Sequence, residues 1–475
     1  MQINETDIKK MVEQVLQQLG QSGTASSPVS SIPDDSFGDG VFATVDEAAA
    51  AARLAWEKLR KLPVATRRQM IENMREVSRN HVNELAKLAV EETGLGKVAD
   101  KVAKILLATN KTPGVEDLVS TAYSGDDGLT LVEYAPIGVF GSITPSTNPA
   151  ATIINNSISL LAAGNTVVYN PHPSAKRVSI KTMQLLNQAI VAAGGPENTL
   201  TSVAAPNLET SAQVMNHPEV NALVVTGGGP VVKAAMAVGK KVIAAGPGNP
   251  PVVVDETAII SKAAADIVKG ASFDNNVLCT AEKEVFVVEK VANVLKAEMV
   301  KHGAIELKGF QFEKLLEKVL VKKGEKFYPN RDFIGKDAYV ILQAAGIQAS
   351  PNVKLIIAET TKDHPLVMTE MLMPILPIVR VPDVDKAIEL AVIAEKGNRH
   401  TAIMHSQNIT NLTKMAQEIQ ATIFVKNGPS VSGLGFESEG FTTLTIAGPT
   451  GEGLTSAKTF TRQRRCVLVD GFRII

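Results

Sequence analysis

A chain of 475 residues exceeds what one hydrophobic core organises, since single cores stop growing near about 250–300 residues, so two or three domains are expected. Its 48 basic and 49 acidic side chains leave a formal charge of −1, which gives no electrostatic case for nucleic acid or a membrane surface and favours small-molecule partners. The two cysteines, Cys279 and Cys466, cannot build a disulfide framework, no run approaches the about 18 apolar residues of a membrane span, and the polar N-terminus lacks a signal peptide's apolar core; a reducing cytoplasm is the expected compartment.

Residues 1–19 read as an amphipathic helix, with Ile8, Met11, Val12, Val15, Leu16 and Leu19 on one face and Lys9, Lys10, Glu13, Gln14, Gln17 and Gln18 on the other. Residues 20–40, rich in Ser, Gly, Pro and Asp, are a flexible linker. A tethered helix with one apolar stripe has no core of its own, so it docks either on another protein or on its own body. From Val45 to Asn110 the chain is Ala-, Glu- and Lys-rich with helical periodicity. After Thr112-Pro113-Gly114, strands are expected at 129–134, 138–143, 166–170, 222–226, 241–245 and 251–254, with helices around 151–163, 176–193, 209–215 and 230–238. That alternation predicts a mostly parallel sheet covered on both faces. A second α/β series runs from Lys262 to Phe424, and a final strand follows Arg462, Arg464 and Arg465.

Cys279 ends the run Phe273-Asp274-Asn275-Asn276-Val277-Leu278. Cysteine combines nucleophilicity with a pKa near neutrality, although a lone one in a Val-Leu-Cys context is more often a small buried hydrophobe. Thr226-Gly227-Gly228-Gly229-Pro230 leaves a strand and opens a helix, where backbone amides can face phosphate or simply make a tight turn. Gly246-Pro247-Gly248-Asn249-Pro250-Pro251 contains G-x-G but leads into a strand, so it fails as a Rossmann fingerprint and points to close backbone approach. Asn148, between a strand and a helix, can donate to an oxyanion, though Asn before Pro is also a common turn initiator. Glu370 alone reads as a capping or surface acid. The 7 histidines show no metal-ligand spacing, and no metal is assigned.

Together, Thr144-Pro145-Ser146-Thr147-Asn148-Pro149, the 246–257 run, Phe273 to Cys279, Val425-Lys426-Asn427-Gly428-Pro429-Ser430 and Pro449-Thr450-Gly451-Glu452-Gly453 carry a resemblance. From Val41 to its end the chain resembles the aldehyde dehydrogenase superfamily, and within it the CoA-acylating branch of bacterial microcompartments. The resemblance implies an α/β fold: a Rossmann-type cofactor domain (41–255, with a 121–136 oligomerisation hairpin inserted), an α/β catalytic domain (256–428), and a small β oligomerisation element completed by a return segment (429–475). It implies NAD and coenzyme A as cofactor and co-substrate, a small aliphatic aldehyde as substrate, a homodimer or homotetramer, and residues 1–19 as an encapsulation peptide for a microcompartment shell. It makes Cys279 the nucleophile and Asn148 the oxyanion donor. The cofactor site falls to Thr144, Pro145, Ser146, Pro171, His172, Thr226, Gly227, Gly228, Gly229, Gly246 and Glu370, with Glu370 on the nicotinamide ribose. Two departures are informative. Hydrolytic relatives carry a general-base glutamate in a Glu-Leu-Gly-Gly run where this chain has Ala245-Gly246-Pro247-Gly248, which implies thiolysis in place of hydrolysis. Where they place a lysine and a glutamate around the adenosine ribose, this chain reads Asn170-Pro171-His172-Pro173.

Overall fold

A computed structural model describes residues 38–475. The expected helix 1–19 and nearly all of the linker lie outside the described residues. Six parallel strands form the first sheet, in the spatial order Val41–Phe42, Leu200–Val203, Thr166–Pro171, Val139–Thr144, Ala222–Thr226 and Lys241–Ala245. These strands read as continuous Val, Ile and Ala runs because helices cover both faces. One face packs on the helices Val64–Asn80, Val82–Thr93, Val98–Lys111, Pro149–Ala162 and Lys176–Ala192; the other packs on Val45–Leu59, Leu208–Asn216 and Gly229–Met236.

The second sheet has seven parallel strands, ordered Ala304–Glu306, Leu355–Glu359, Ile375–Val381, Glu284–Val288, Pro251–Val254, Thr401–His405 and Ile423–Lys426. Pro251–Val254 therefore belongs to the second sheet, and the sequence-based boundary after 255 moves back to residues 246–250. Five residues span at most about 17 Å. The C-terminal end of Lys241–Ala245 therefore lies within that distance of the N-terminal end of Pro251–Val254, and Gly248 between them packs against Cys279 O and the His400 ring.

The hairpin Thr121–Gly125/Gly128–Pro136 pairs antiparallel with the terminal strand Thr461–Val469, giving a separate three-stranded sheet. That last strand begins at Thr461, several residues earlier than its sequence pattern suggested. After Ile423–Lys426 the chain returns to the first domain: Asn155 accepts the Leu444 amide at 3.0 Å and Asn156 accepts the Thr445 hydroxyl at 3.1 Å. Among the described residues no helix is long and apolar enough to cross a membrane.

Candidate active site

Asn148 is held by the helix it precedes. Every residue of Pro149–Ala162 is buried, and Pro149 at the first helical position fixes the entry. Asn148 occupies the N-cap with φ −136° and ψ 55° but makes no side-chain capping bond, so its amide is free for other work. That amide is 8% exposed as part of its residue, and its oxygen accepts from Lys104 Nζ.

Cys279 is placed by a turn of unusual backbone. Asp274, Asn275 and Asn276 lie consecutively in the left-handed region, at φ 49°, 55° and 67°. Asp and Asn tolerate that region best among non-glycines, and each such residue still costs on the order of 1–3 kcal/mol unless its surroundings impose it. Here they do. The Asp274 amide donates to Asp100 at 2.8 Å, and its carboxylate accepts the Lys97 amide at 2.8 Å and pairs with Lys101 at 2.8 Å and with Lys104. The Asn275 amide donates to Gly335 O and Asp337, both at 2.9 Å. Asn276 donates to Ala271 O at 2.9 Å and Glu282 O at 3.0 Å, while Lys283 Nζ reaches back to Asn276 O and Leu278 O, both at 3.2 Å. The buried Glu282 carboxyl, raised to about 7 by burial, accepts the Ser430 amide at 2.8 Å and hydroxyl at 2.6 Å, which ties the return segment to the same turn.

The thiol itself is half-buried at the cleft. Burial, followed by the negative charge of Glu370, pushes it up to about 11, against the pull of Lys283. Glu370 is raised by burial, opposed by Lys283, and its carboxylate accepts the Gly248 amide. The resemblance assigned Glu370 to a ribose; the structure brings it to Gly248 and into the electrostatic field of Cys279. Gly248 sits so close that a Cβ there would lie 2.4 Å from Cys279 O and 3.1 Å from the His400 ring. His400 is 1% exposed, its Nδ1 lies 2.9 Å from the Thr401 hydroxyl, and its Nε2 has no partner; burial and Lys283 lower it to about 4. Asn249 locks the same connection by donating to Glu284 at 3.2 Å, Val367 O at 3.0 Å and Ala394 O at 2.9 Å.

The expected cofactor residues gather at the C-terminal edge of the first sheet. Thr144 and Pro171 end adjacent strands, and His172 donates its amide to Thr144 O at 3.0 Å; Pro145 and Ser146 continue half-buried from Thr144 towards Asn148. Thr226 pairs with Ala245, and Gly227, Gly228 and Gly229 open the helix Gly229–Met236 with no atom closer than 3.7 Å to where a Cβ would stand. Gly246 packs under Pro449, 3.0 Å from that virtual Cβ. These observations fit a nucleotide: open backbone at a helix start suits a pyrophosphate, and the buried Thr144 hydroxyl lacks any partner within the chain. His172 is held below its usual value by partial burial and by Arg331 from the other side of the cleft. Among the described residues no group of three or more His, Cys, Asp or Glu side chains could hold a metal.

Sequence reasoning missed Lys101, Lys104, Lys283 and His400. For the first two a signal existed: positions 101, 104, 105, 108 and 109 form one stripe of the helix Val98–Lys111, and lysine fills two of the five buried places. Lys101 is driven down to about 7 by burial and by the neighbouring Lys104 charge.

The aldehyde dehydrogenase family profile matches residues 25–308. The chain belongs to the aldehyde dehydrogenase family. Acetaldehyde dehydrogenase (acetylating) EutE of Escherichia coli K12 is 51% identical over 477 residues, covering 100% of both chains. Propanal dehydrogenase (CoA-propanoylating) of Salmonella typhimurium LT2 is 48% identical, covering 92% of this chain and 94% of its own. Among solved structures, Rhodopseudomonas palustris propionaldehyde dehydrogenase with bound CoA and an acylated cysteine superposes with TM-score 0.89 at 50% identity, covering 91% of this chain and 99% of that one. The α/β architecture expected from the sequence is thus the architecture of acylating aldehyde dehydrogenases.

Proposed function

We propose that this aldehyde dehydrogenase is CoA-acylating: it oxidises acetaldehyde with NAD and CoA to acetyl-CoA and NADH through a thioester on Cys279. The observation that carries the reading is that one lysine, Lys104, bonds both Asn148 Oδ1 and Val277 O, two residues before Cys279, while Gly248 packs against Cys279 O and the strand Lys241–Ala245 ends in an alanine. The full-length likeness to acetylating acetaldehyde dehydrogenases supports the acyl acceptor.

Cys279 loses its proton to bulk solvent and its sulfur bonds the carbonyl carbon; the C=O electron pair moves to oxygen, to which the Asn148 amide N–H donates a hydrogen bond. A nicotinamide nucleotide, whose pyrophosphate Gly227 to Gly229 and the Thr144 hydroxyl would hold, would supply the hydride acceptor for that carbon. Cys279 then carries a thioester. The CoA sulfur attacks it, the same oxygen takes and returns the electron pair, and the Cys279 thiolate leaves. His400, neutral at pH 7 with a free Nε2, offers a place for the CoA thiol proton.

The assay is NADH release from acetaldehyde with and without CoA. One equivalent per site without CoA, and sustained acetyl-CoA production with it, is the expected result. Steady turnover to free acetate without CoA refutes the acceptor. His400→Gln should slow the CoA-dependent half and leave the NADH burst intact.

Propionaldehyde is the second reading, favoured by propionaldehyde dehydrogenases of known structure at 50% identity and TM-score 0.90. One methylene is worth only about 1–3 kcal/mol, so the kcat/KM ratio for the two aldehydes decides it. The nine-residue strand Thr461–Val469, exposed beyond Thr461, supports self-association into a homodimer or homotetramer. Delivery to a microcompartment through residues 1–19 completes the proposal, supported by a related enzyme from a fucose-utilisation microcompartment of Clostridium phytofermentans.

A further inference from the structure

Lys104 is 3% exposed, and burying an ammonium costs several kcal/mol unless all its protons are used. Lys104 Nζ is compensated: it is ion-paired with the Asp274 carboxylate and donates to Val277 O at 3.1 Å and to Asn148 Oδ1. The last contact has a directional consequence. With Oδ1 taken by a cation, the amide is fixed in one of its two orientations, and Nδ2 is turned away from Lys104. The Nδ2 partner is Thr147 Oγ1 at 3.3 Å, a long and replaceable bond. A cation on the amide oxygen also draws electron density from the nitrogen and strengthens its N–H as a donor.

We propose that Lys104 is the positioning residue of the oxyanion hole, orienting and polarising the Asn148 amide for the oxygen that gains charge when Cys279 adds to the aldehyde. The inference rests on the assignment of Cys279 and Asn148 made above. Electron bookkeeping is unchanged by it: the S–C bond forms, the carbonyl pair goes to oxygen, and Lys104 keeps its proton throughout. The same contact serves the second half-reaction, where the CoA S–C bond forms and the pair returns to expel the Cys279 thiolate.

Lys104 also touches Val277 O, two residues before the nucleophile, so a purely structural role must be separated from an electrostatic one. Alkylation of Cys279 by iodoacetamide does this, because sulfur displaces iodide at a saturated carbon and no oxyanion forms. Lys104→Met, Asn148→Ala and the double variant are compared with wild type in two measurements. These are single-turnover NADH formation at saturating acetaldehyde without CoA, and the alkylation rate of the Cys279 peptide.

Loss of one oxyanion donor costs about 10²–10³-fold, so Asn148→Ala is expected in that range and Lys104→Met at about 10–100-fold. The double variant should be no more than about threefold slower than Asn148→Ala, since a residue acting through another adds nothing once that other is gone. The Lys104 charge is the smallest of the influences on the Cys279 thiol and lowers it, so alkylation in Lys104→Met should fall by no more than about threefold, well short of the loss in NADH formation. Multiplicative losses in the double variant, or alkylation slowed in step with NADH formation, overturn the inference. Wild-type NADH formation in Lys104→Met beside a slow Asn148→Ala overturns it too, and leaves the parent reading standing. Wild-type NADH formation in Asn148→Ala sinks the parent reading itself. If Lys104→Met does not fold, Lys104→Gln keeps a donor for Asn148 without the charge; an intermediate loss supports the inference and a wild-type rate overturns it.

Discussion

Gly248→Ala tests how tightly the cleft is built. A Cβ at 248 would stand 2.4 Å from Cys279 O, and real Cβ contacts do not fall under 3.0 Å, so at least ~0.6 Å of movement is required. On the other side the His400 ring waits at 3.1 Å, so the new methyl cannot retreat there. The clash is with backbone, and that backbone is clamped by Asn276 and Lys283, so the turn moves as a unit and carries the thiol with it. Overpacking of this kind costs about 1–3 kcal/mol of stability, which in domains of this size lowers Tm by about 2–12 °C. The larger effect is kinetic: a 1 Å misplacement of reacting groups costs about 100-fold, so ~0.6 Å should slow the NADH burst about 10–100-fold with the NAD dependence little changed. Gly246→Ala is the comparator, because its Cβ meets a side-chain atom, Pro449 Cγ, at 3.0 Å, and its burst should fall less than about threefold. Stopped-flow fluorescence measures both. A Gly248→Ala burst within twofold of wild type refutes the reasoning.

With the Cys279 thiol held at about 11, only about one site in 1,000 carries a thiolate at pH 8 in the resting enzyme. Iodoacetamide labelling of the Cys279 peptide should therefore rise about tenfold per pH unit from 8 to 10, and a plateau near pH 9 contradicts that. Glu370→Gln removes the negative charge that helps raise the thiol, so labelling at pH 8 should be several-fold faster; slower labelling would mean Glu370 acts as a base instead. Ala245→Glu restores a carboxylate where hydrolytic relatives keep their base, and acetate release without CoA should rise above the wild-type background; unchanged acetate in a folded variant rejects the idea that a missing base sets the acceptor. Deleting residues 1–19 should leave turnover in solution intact and abolish co-purification with shells, and persisting shell association removes the targeting role.

Four of the six strands expected from the sequence form in the first sheet within a residue of their limits, because Val, Ile and Ala runs are bounded by Gly, Pro and Asn; a fifth, Gly128–Pro136, belongs to the three-stranded sheet, and the short Val41–Phe42 and Leu200–Val203 were not expected. The sixth, Pro251–Val254, forms too but pairs with Glu284–Val288 and Thr401–His405, since partner choice is a property of the whole topology and leaves no local trace. Asn148 and the string ending in Cys279 stand out as motifs in the sequence, while the groups packed around them do not. Lys104 and Val277 are bonded across 173 positions, and a lysine in an Ala-rich helix reads as solvated until that distant turn is packed on it. His400 gave no signal either, because its meaning lies in Gly248, which has no side chain to keep it away.

The same geometry bears on why the acyl group should wait for a thiol. Water needs a base to attack a thioester, and the strand Lys241–Ala245 ends in a buried alanine where one would stand. Glu370, the carboxylate whose charge acts on Cys279, is bound to the Gly248 amide and raised by burial, so it is committed to a local contact. A thiol has a pKa near about 8.5 and supplies a few per cent of thiolate at neutral pH without help, whereas bulk water sits near about 15.7. On the proposed roles of Lys104 and Asn148, a cleft that stabilises charge on the acyl oxygen, and whose one proposed base is a His400 imidazole lowered to about 4 and so too weak to deprotonate water, discriminates by the acidity of the nucleophile, with no need for a steric gate against water.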